Sequence, residues 1–135
     1  MPHGRTLLPI ALLLAGCGAY PSVTASSPSP AGAAVVCYAT DLEAKGYKVL
    51  RIDRQTGWLE AQKGGPAQSA DVTVLREGTQ IVVQGHDGGS GSTLTITPTR
   101  YVERRNYRGP TFSFEKPTPE GLADARAVAE SCGGK

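Results

Sequence analysis

This chain has few histidines and almost no net charge, and each of these features argues against a class of function. The chain has two histidines, His3 and His86, and fourteen basic side chains nearly balance twelve acidic ones. His86 has no HExxH or comparable ligand spacing around it, so we expect a solvated turn histidine and no metal site. A surface that binds nucleic acid carries a strong positive excess, which this chain lacks. We therefore expect no nucleic-acid partner and no cofactor.

Apolar runs long enough to span a membrane are also missing. Residues 6–15, TLLPIALLLA, form an almost wholly apolar run after a single cation at Arg5. A membrane-spanning helix needs about 20 apolar residues to cross a hydrocarbon core of about 30 Å. The run is instead typical of the apolar centre of a secretory signal peptide.

The residues that close this run, Leu14-Ala15-Gly16-Cys17, resemble the lipobox of bacterial lipoproteins position by position. The resemblance implies that the Cys17 thiol receives a diacylglyceryl group and that a signal peptidase cuts just before Cys17. It also implies an extracytoplasmic protein anchored to a membrane. Gly18 after the lipid cysteine is compatible with an outer membrane, facing the periplasm, if the bacterium has two membranes. The alternative is an ordinary secretory leader, with Cys17 in a disulfide.

Composition divides the chain into three parts. Residues 1–16 are the predicted signal peptide. Residues 17–32 contain the lipidated cysteine and a stretch rich in Ser, Pro, Ala and Gly without charge, which predicts a flexible tether. Residues 33–135 remain for one domain of about 100 residues with a single core.

One helix is predicted at each end of this domain. In residues 33–45 the apolar residues recur at helical spacing, and Gly46 supplies the stop. In the second helix Thr118 can cap the first turn, Pro119 fits that turn, and an apolar face runs to Cys132.

Between the helices, alternating apolar and polar residues predict about five antiparallel strands. We expect YKVLRID and WLEAQK to join at residues 54–57, and DVTVLRE and TQIVVQG to join at a turn at Glu77-Gly78. A Gly-rich turn after His86 leads into TLTITPTRYVERR, where Pro98 requires an edge position or a bulge. A further short strand could include Phe112 and Phe114. The inward valines and isoleucine are expected to be Val72, Val74, Ile81 and Val83.

Because both helices must bury an apolar face, the prediction is an α+β two-layer sandwich with the N-terminal and C-terminal helices on one face of the sheet. A barrel with end helices is the alternative.

The two cysteines besides Cys17 lie one in each predicted helix, at Cys37 and Cys132. Export to an oxidising compartment favours a disulfide between them, which would close nearly the whole domain. A redox-active pair is the alternative, but C-x-x-C spacing is missing.

Residues 100–108, RYVERRNYR, form the most concentrated charged segment. Its arginines and two tyrosines could bind an anionic surface such as lipid headgroups or an acidic polymer. The alternative is a charged edge strand that blocks aggregation between sheets. The candidate contacts are Arg100, Arg104, Arg105 and Arg108. The single tryptophan, Trp58, is expected to pack in the core, or else to contact a partner.

We find no pattern of catalytic residues, so a non-catalytic role is favoured. The first hypothesis is a binding or assembly module of the cell envelope that engages another envelope protein through its sheet. The second is a small-ligand-binding lipoprotein with its pocket between helices and sheet, and the third is an envelope enzyme.

Overall fold

A computed structural model of the chain describes residues 20–66 and 70–134. They form the expected α+β two-layer sandwich, with one six-stranded antiparallel sheet and two helices. In chain order the elements are β1 (Val23–Ser27), α1 (Ala31–Ala44), β2 (Lys48–Asp53), β3 (Trp58–Pro66), β4 (Val74–Gly88), β5 (Gly91–Asn106), β6 (Gly109–Glu115) and α2 (Pro119–Cys132). The predicted signal peptide and Cys17 lie outside the described residues.

The sheet has the order β1-β5-β4-β3-β2, and β6 also pairs with β5. β4 pairs along one side of β5. On the other side of β5, β1 pairs with residues 92–96 and β6 pairs with residues 100–106. Pro98 lies between Ile96, which pairs with β1, and Arg100, which pairs with β6. On this side of β5, Pro98 therefore lies in the gap between β1 and β6 and pairs with neither, which is the edge position that we expected.

The tether predicted for residues 17–32 is wrong over its second half. Residues 23–27 form β1, and α1 begins at Ala31. Val23 and Ala25 alternate toward the core and pack against it, which gives this polar stretch a buried face. Val23 is the one large apolar residue of this strand, so composition alone suggested a linker.

The core fills the space between the helices and the sheet. Val35, Tyr38 and Leu42 of α1 are fully buried, together with Val128 of α2. The sheet contributes the fully buried residues Leu59, Ala61, Ile81, Val83, Leu94 and Ile96.

The predicted disulfide is present. Cys37 of α1 and Cys132 of α2 are bonded, with 5.9 Å between their Cα atoms. The bond joins the two helices on the same face of the sheet.

The turn predicted at Glu77-Gly78 is wrong, because β4 is continuous from Val74 to Gly88. Gly78 lies opposite Tyr101 in the ladder, and a Cβ on Gly78 would stand 2.3 Å from the Lys63 carbonyl oxygen. The glycine permits close packing within the sheet and does not reverse the chain. Val72, expected to point inward, precedes the strand and is exposed.

At the start of each helix, a side chain accepts a hydrogen bond from a backbone N–H group. The Thr118 hydroxyl accepts a hydrogen bond from the Gly121 N–H, as predicted. At α1 the cap comes from a distant residue, because Asp87 Oδ1 accepts a 2.7 Å hydrogen bond from the Ala31 N–H. The end of β4 therefore anchors the start of α1.

Candidate interaction surface

Strand alternation divides the predicted arginine segment between the two faces of the sheet. Arg100 and Arg104 occupy alternate positions of β5 and point to the face that carries the helices, as their neighbour Thr79 contacts α2 near Gly121. Arg105 belongs to the opposite face, and Arg108 lies in the turn between β5 and β6. The four arginines therefore do not form one surface.

Arg100 and Arg104 belong to an ion-pair network. Arg100 Nη1 donates to Glu115 Oε2 at 2.6 Å, and its Nη2 donates to Glu77. Arg104 Nη1 lies 3.2 Å from Glu115 Oε1, and Arg104 Nε lies 3.9 Å from Asp71. These contacts neutralise the two arginines within the domain, and Glu115 bridges them.

Two neighbouring groups have shifted pKa values. Hydrogen bonds from the Thr73 hydroxyl and backbone N–H lower the pKa of the Asp71 carboxyl. On the other face Arg76 Nε donates to Glu103 at 2.6 Å, and this bond raises the pKa of Arg76. The Asp71 carboxyl is thus held in its charged form.

Arg105 and Arg108 remain exposed at the tip of the β5–β6 hairpin. Neither of them forms an ion pair within the described ranges 20–66 and 70–134, and Arg108 lies over the ring of Tyr107, 5.4 Å from its centroid. Tyr107 itself is 88% exposed. The tip therefore offers two cations and an aromatic ring to solvent.

Exposed aromatic residues continue from this tip along β6. Phe112 and Phe114 are two residues apart and share the face opposite the helices, with exposed fractions of 56% and 46%. Tyr20 lies at the end of β6, where its hydroxyl donates a 2.7 Å hydrogen bond to the Phe114 carbonyl. The sequence predicted a strand here but gave no indication of its exposure, which depends on which face the helices cover.

The uncovered face of the sheet contains a shallow groove of about 600 Å³. The Tyr101 ring lies over Gly64 and Gly78, since a Cβ on Gly64 would stand 2.0 Å from the Tyr101 hydroxyl. Because the two glycines have no side chains, the ring can lie against the backbone of the sheet, where it is buried. We call this the open-face groove, lined by Lys48, Leu50, Gln62, Gly64, Gly65, Arg76 and Tyr101.

Trp58 also lies on the uncovered face, so its expected packing in the core is wrong. Its neighbour Leu59 points to the helices and is fully buried, which turns the half-buried indole to the other side. His86 is exposed, as expected, but it belongs to β4 and not to the turn.

The space expected to hold a small ligand, between helices and sheet, is filled by the core side chains. A smaller groove of about 340 Å³ opens beside the start of α2, next to Thr118 and Glu120. In the described part of the chain, no group of three or more His, Cys, Asp or Glu residues is placed to hold a metal ion. Neither described helix is long and apolar enough to cross a membrane.

The predicted lipid site, Cys17, precedes the first described residue by three positions. No family model matches the sequence, and no curated protein is significantly similar to it.

Proposed function

We propose that this protein is a lipid-anchored cell-envelope protein that acts as a non-catalytic binding or assembly module. The signal-peptide pattern and the Leu14-Ala15-Gly16-Cys17 lipobox support this address. Acyl chains on Cys17 would hold the domain on the extracytoplasmic side of a membrane. In a bacterium with two membranes, this is the periplasmic side of the outer membrane.

The uncovered sheet face is the observation that carries the binding role. Both helices cover the same face, so the open-face groove is accessible from solvent. Leu50 is 48% exposed at the groove and lies near the buried Tyr101 ring, with polar side chains around them. An apolar centre with a polar rim is the usual arrangement of a protein interface.

The partner we infer is another envelope protein that places an apolar side chain against Leu50 and Tyr101. The rim favours this choice, because Lys48, Gln62 and Arg76 offer hydrogen-bond donors to a partner backbone or carboxylate. The groove is open, whereas a small-molecule site usually encloses most of its ligand.

Photo-crosslinking in the native envelope tests this role. A photoreactive residue at Lys48 should form an adduct with one discrete protein, and adding Leu50→Asp should abolish the adduct. Glu43, which is exposed on α1, is the matched control position and should give no such adduct. The same adducts from both positions would overturn the proposal, and so would the absence of any protein adduct from Lys48. Stabilisation of the domain by a low-mass envelope extract would then favour the small-ligand alternative.

A further inference from the structure

An aromatic and basic surface follows the outer edge of the sheet at β6. Its aromatic members are between 41% and 88% exposed, and its two arginines lie at the hairpin tip. We call it the aromatic edge, and its residues are Tyr20, Arg105, Tyr107, Arg108, Phe112 and Phe114.

The predicted lipid site is tied closely to this surface by the chain itself. Cys17 and Tyr20 are three residues apart, so at most about 11 Å separates their Cα atoms even when the chain is fully extended. The Tyr20 hydroxyl is bonded to the Phe114 carbonyl, which holds Tyr20 against β6. An acyl chain on Cys17 would therefore enter a membrane on the β6 side of the domain.

We propose that the aromatic edge rests on the lipid leaflet that holds the acyl chains of Cys17. The inference rests on the proposed lipidation of that residue. Tyrosine side chains are favoured at the depth of the lipid headgroups, where the ring meets apolar chains and the hydroxyl meets water. Phenylalanine side chains insert into the boundary between headgroups and acyl chains. Exposed arginines beside them attract anionic headgroups, and the two effects together strengthen surface binding.

The charge distribution supports the bilayer as the occupant. Arg100 and Arg104 are neutralised on the helix side by Glu77 and Glu115, so they add little attraction. Within residues 100–108, the exposed arginines without an ion pair among the described residues are Arg105 and Arg108, at the tip of the same edge. Phe112 and Phe114 lie between this tip and Tyr20 along β6. Aromatic rings and cations thus occupy the side of the domain that the anchor brings to the membrane.

This docking would orient the whole domain. β2 lies four strands away from β6 in the sheet, a distance of about 19 Å at the usual strand spacing. Leu50, in β2, would therefore lie at the side of the sheet that is farthest from the docked edge, although its side chain shares the open face with Phe112 and Phe114. The β2 end of the open-face groove would then remain accessible to an envelope partner.

Fluorescence quenching in vesicles measures the contact directly. The lipidated mature protein carrying Phe112→Trp is reconstituted into vesicles of phosphatidylglycerol and brominated phosphatidylethanolamine, in a Trp58→Phe background. The indole Nε1 of Trp58 forms no hydrogen bond among the described residues, so Trp58→Phe removes none. Ile52→Trp in the same background is the matched control, because Ile52 is 40% exposed on β2.

The proposal predicts quenching of Phe112→Trp that is several times stronger than that of Ile52→Trp. Arg105→Gln and Arg108→Gln should each lower the ratio of docked to undocked protein about fivefold at low salt. If Phe112→Trp does not fold, Phe114→Trp serves as the second reporter. Mass spectrometry of each sample first establishes whether Cys17 carries the lipid. Its absence would defeat the proposed anchor, which is a different result from failed docking.

Equal quenching of the two variants in lipidated protein would overturn the proposal, as would no quenching at Phe112. A concentration-dependent change in Phe112→Trp fluorescence without vesicles would also overturn it, since a second copy of the chain would then cover the surface.

Discussion

Cys37 and Cys132 are bonded across 95 positions of sequence, so a single covalent link closes nearly the entire domain. In the chain-entropy description, closing a loop of this length stabilises the folded state by about 4 to 5 kcal/mol. That is a large share of the stability of a domain with about 100 residues.

Reduction of this disulfide should therefore lower the melting temperature of the mature domain by at least about 15 °C. Cys37→Ala combined with Cys132→Ala should give the same lower midpoint in oxidising buffer, and that midpoint should no longer respond to a reductant. Calorimetry with and without reductant measures both. An unchanged midpoint on reduction would show that the bond contributes nothing to stability.

Gly78→Ala should destabilise the domain by about 1 to 3 kcal/mol. Its new Cβ would stand 2.3 Å from the Lys63 carbonyl oxygen and 2.7 Å from the Gly64 Cα, where only a backbone shift makes room. Gly65→Ala is the control, because nothing lies within 4 Å of its added Cβ. Urea unfolding compares the two variants, and equal stabilities would contradict the close packing described for β4.

Glu115→Gln should weaken the ion-pair network, because Glu115 contacts both Arg100 and Arg104. These side chains are partly exposed, so water and salt limit the loss in the free energy of unfolding to about 1 kcal/mol. Glu120→Gln is the control, since Glu120 is 77% exposed and meets Lys63 only at 3.8 Å. The loss at Glu115 should shrink in high salt. A loss that is equally large at Glu120 would argue against a network centred on Glu115.

The raised pKa of Tyr47 predicts how the stability of the domain changes at alkaline pH. Burial raises the pKa of its phenol, and the hydrogen bond to Asp124, 2.8 Å long, raises it further. Above pH of about 10 the unfolded chain loses this proton while the native domain keeps it, so the native domain becomes less stable as pH rises. Below that pH the contribution of the phenol is fully present.

Tyr47→Phe should therefore lose less stability than the unmodified domain as pH rises above about 10. Burial also raises the pKa of Tyr38, but that effect is present in both proteins and cancels in the comparison. Tyr107→Phe, at an exposed position, is the control and should follow the unmodified domain. If the stability of Tyr47→Phe and that of the unmodified domain fell equally as pH rises, the result would contradict a raised pKa at Tyr47.

The helices and the disulfide were predictable from sequence because each depends on a local or countable signal. The apolar spacing around Tyr38 predicts α1, the Thr118-Pro119 pair predicts the start of α2, and two remaining cysteines in an exported chain predict one bond. The disulfide in turn required the helices to be neighbours, which favours the two-layer arrangement.

The strand β1 and the exposure of β6 depend on tertiary partners, and so the sequence did not reveal them. Val23 and Ala25 are partly buried only because β5 leaves a free side for pairing before Pro98. Phe112 and Phe114 are exposed only because both helices cover the opposite face. The turn predicted at Gly78 is wrong because the sequence does not distinguish a glycine needed for close packing from a glycine needed for a turn.

The site was predictable only in its outline. The arginine-rich segment was visible, and strand alternation could have separated Arg100 and Arg104 from Arg105. The carboxylate that neutralises the first two, Glu115, is distant in sequence and is brought near by the β5–β6 pairing.

The most direct test of a lipid anchor at Cys17 is the mass of the mature protein recovered from membranes, compared with that of a Cys17→Ala variant. We predict that the wild-type mature chain begins at Cys17 and carries acyl groups, and that the Cys17→Ala variant accumulates as the uncut, unlipidated precursor. A Cys17→Ala protein that is processed normally and retained at the membrane would contradict the anchor.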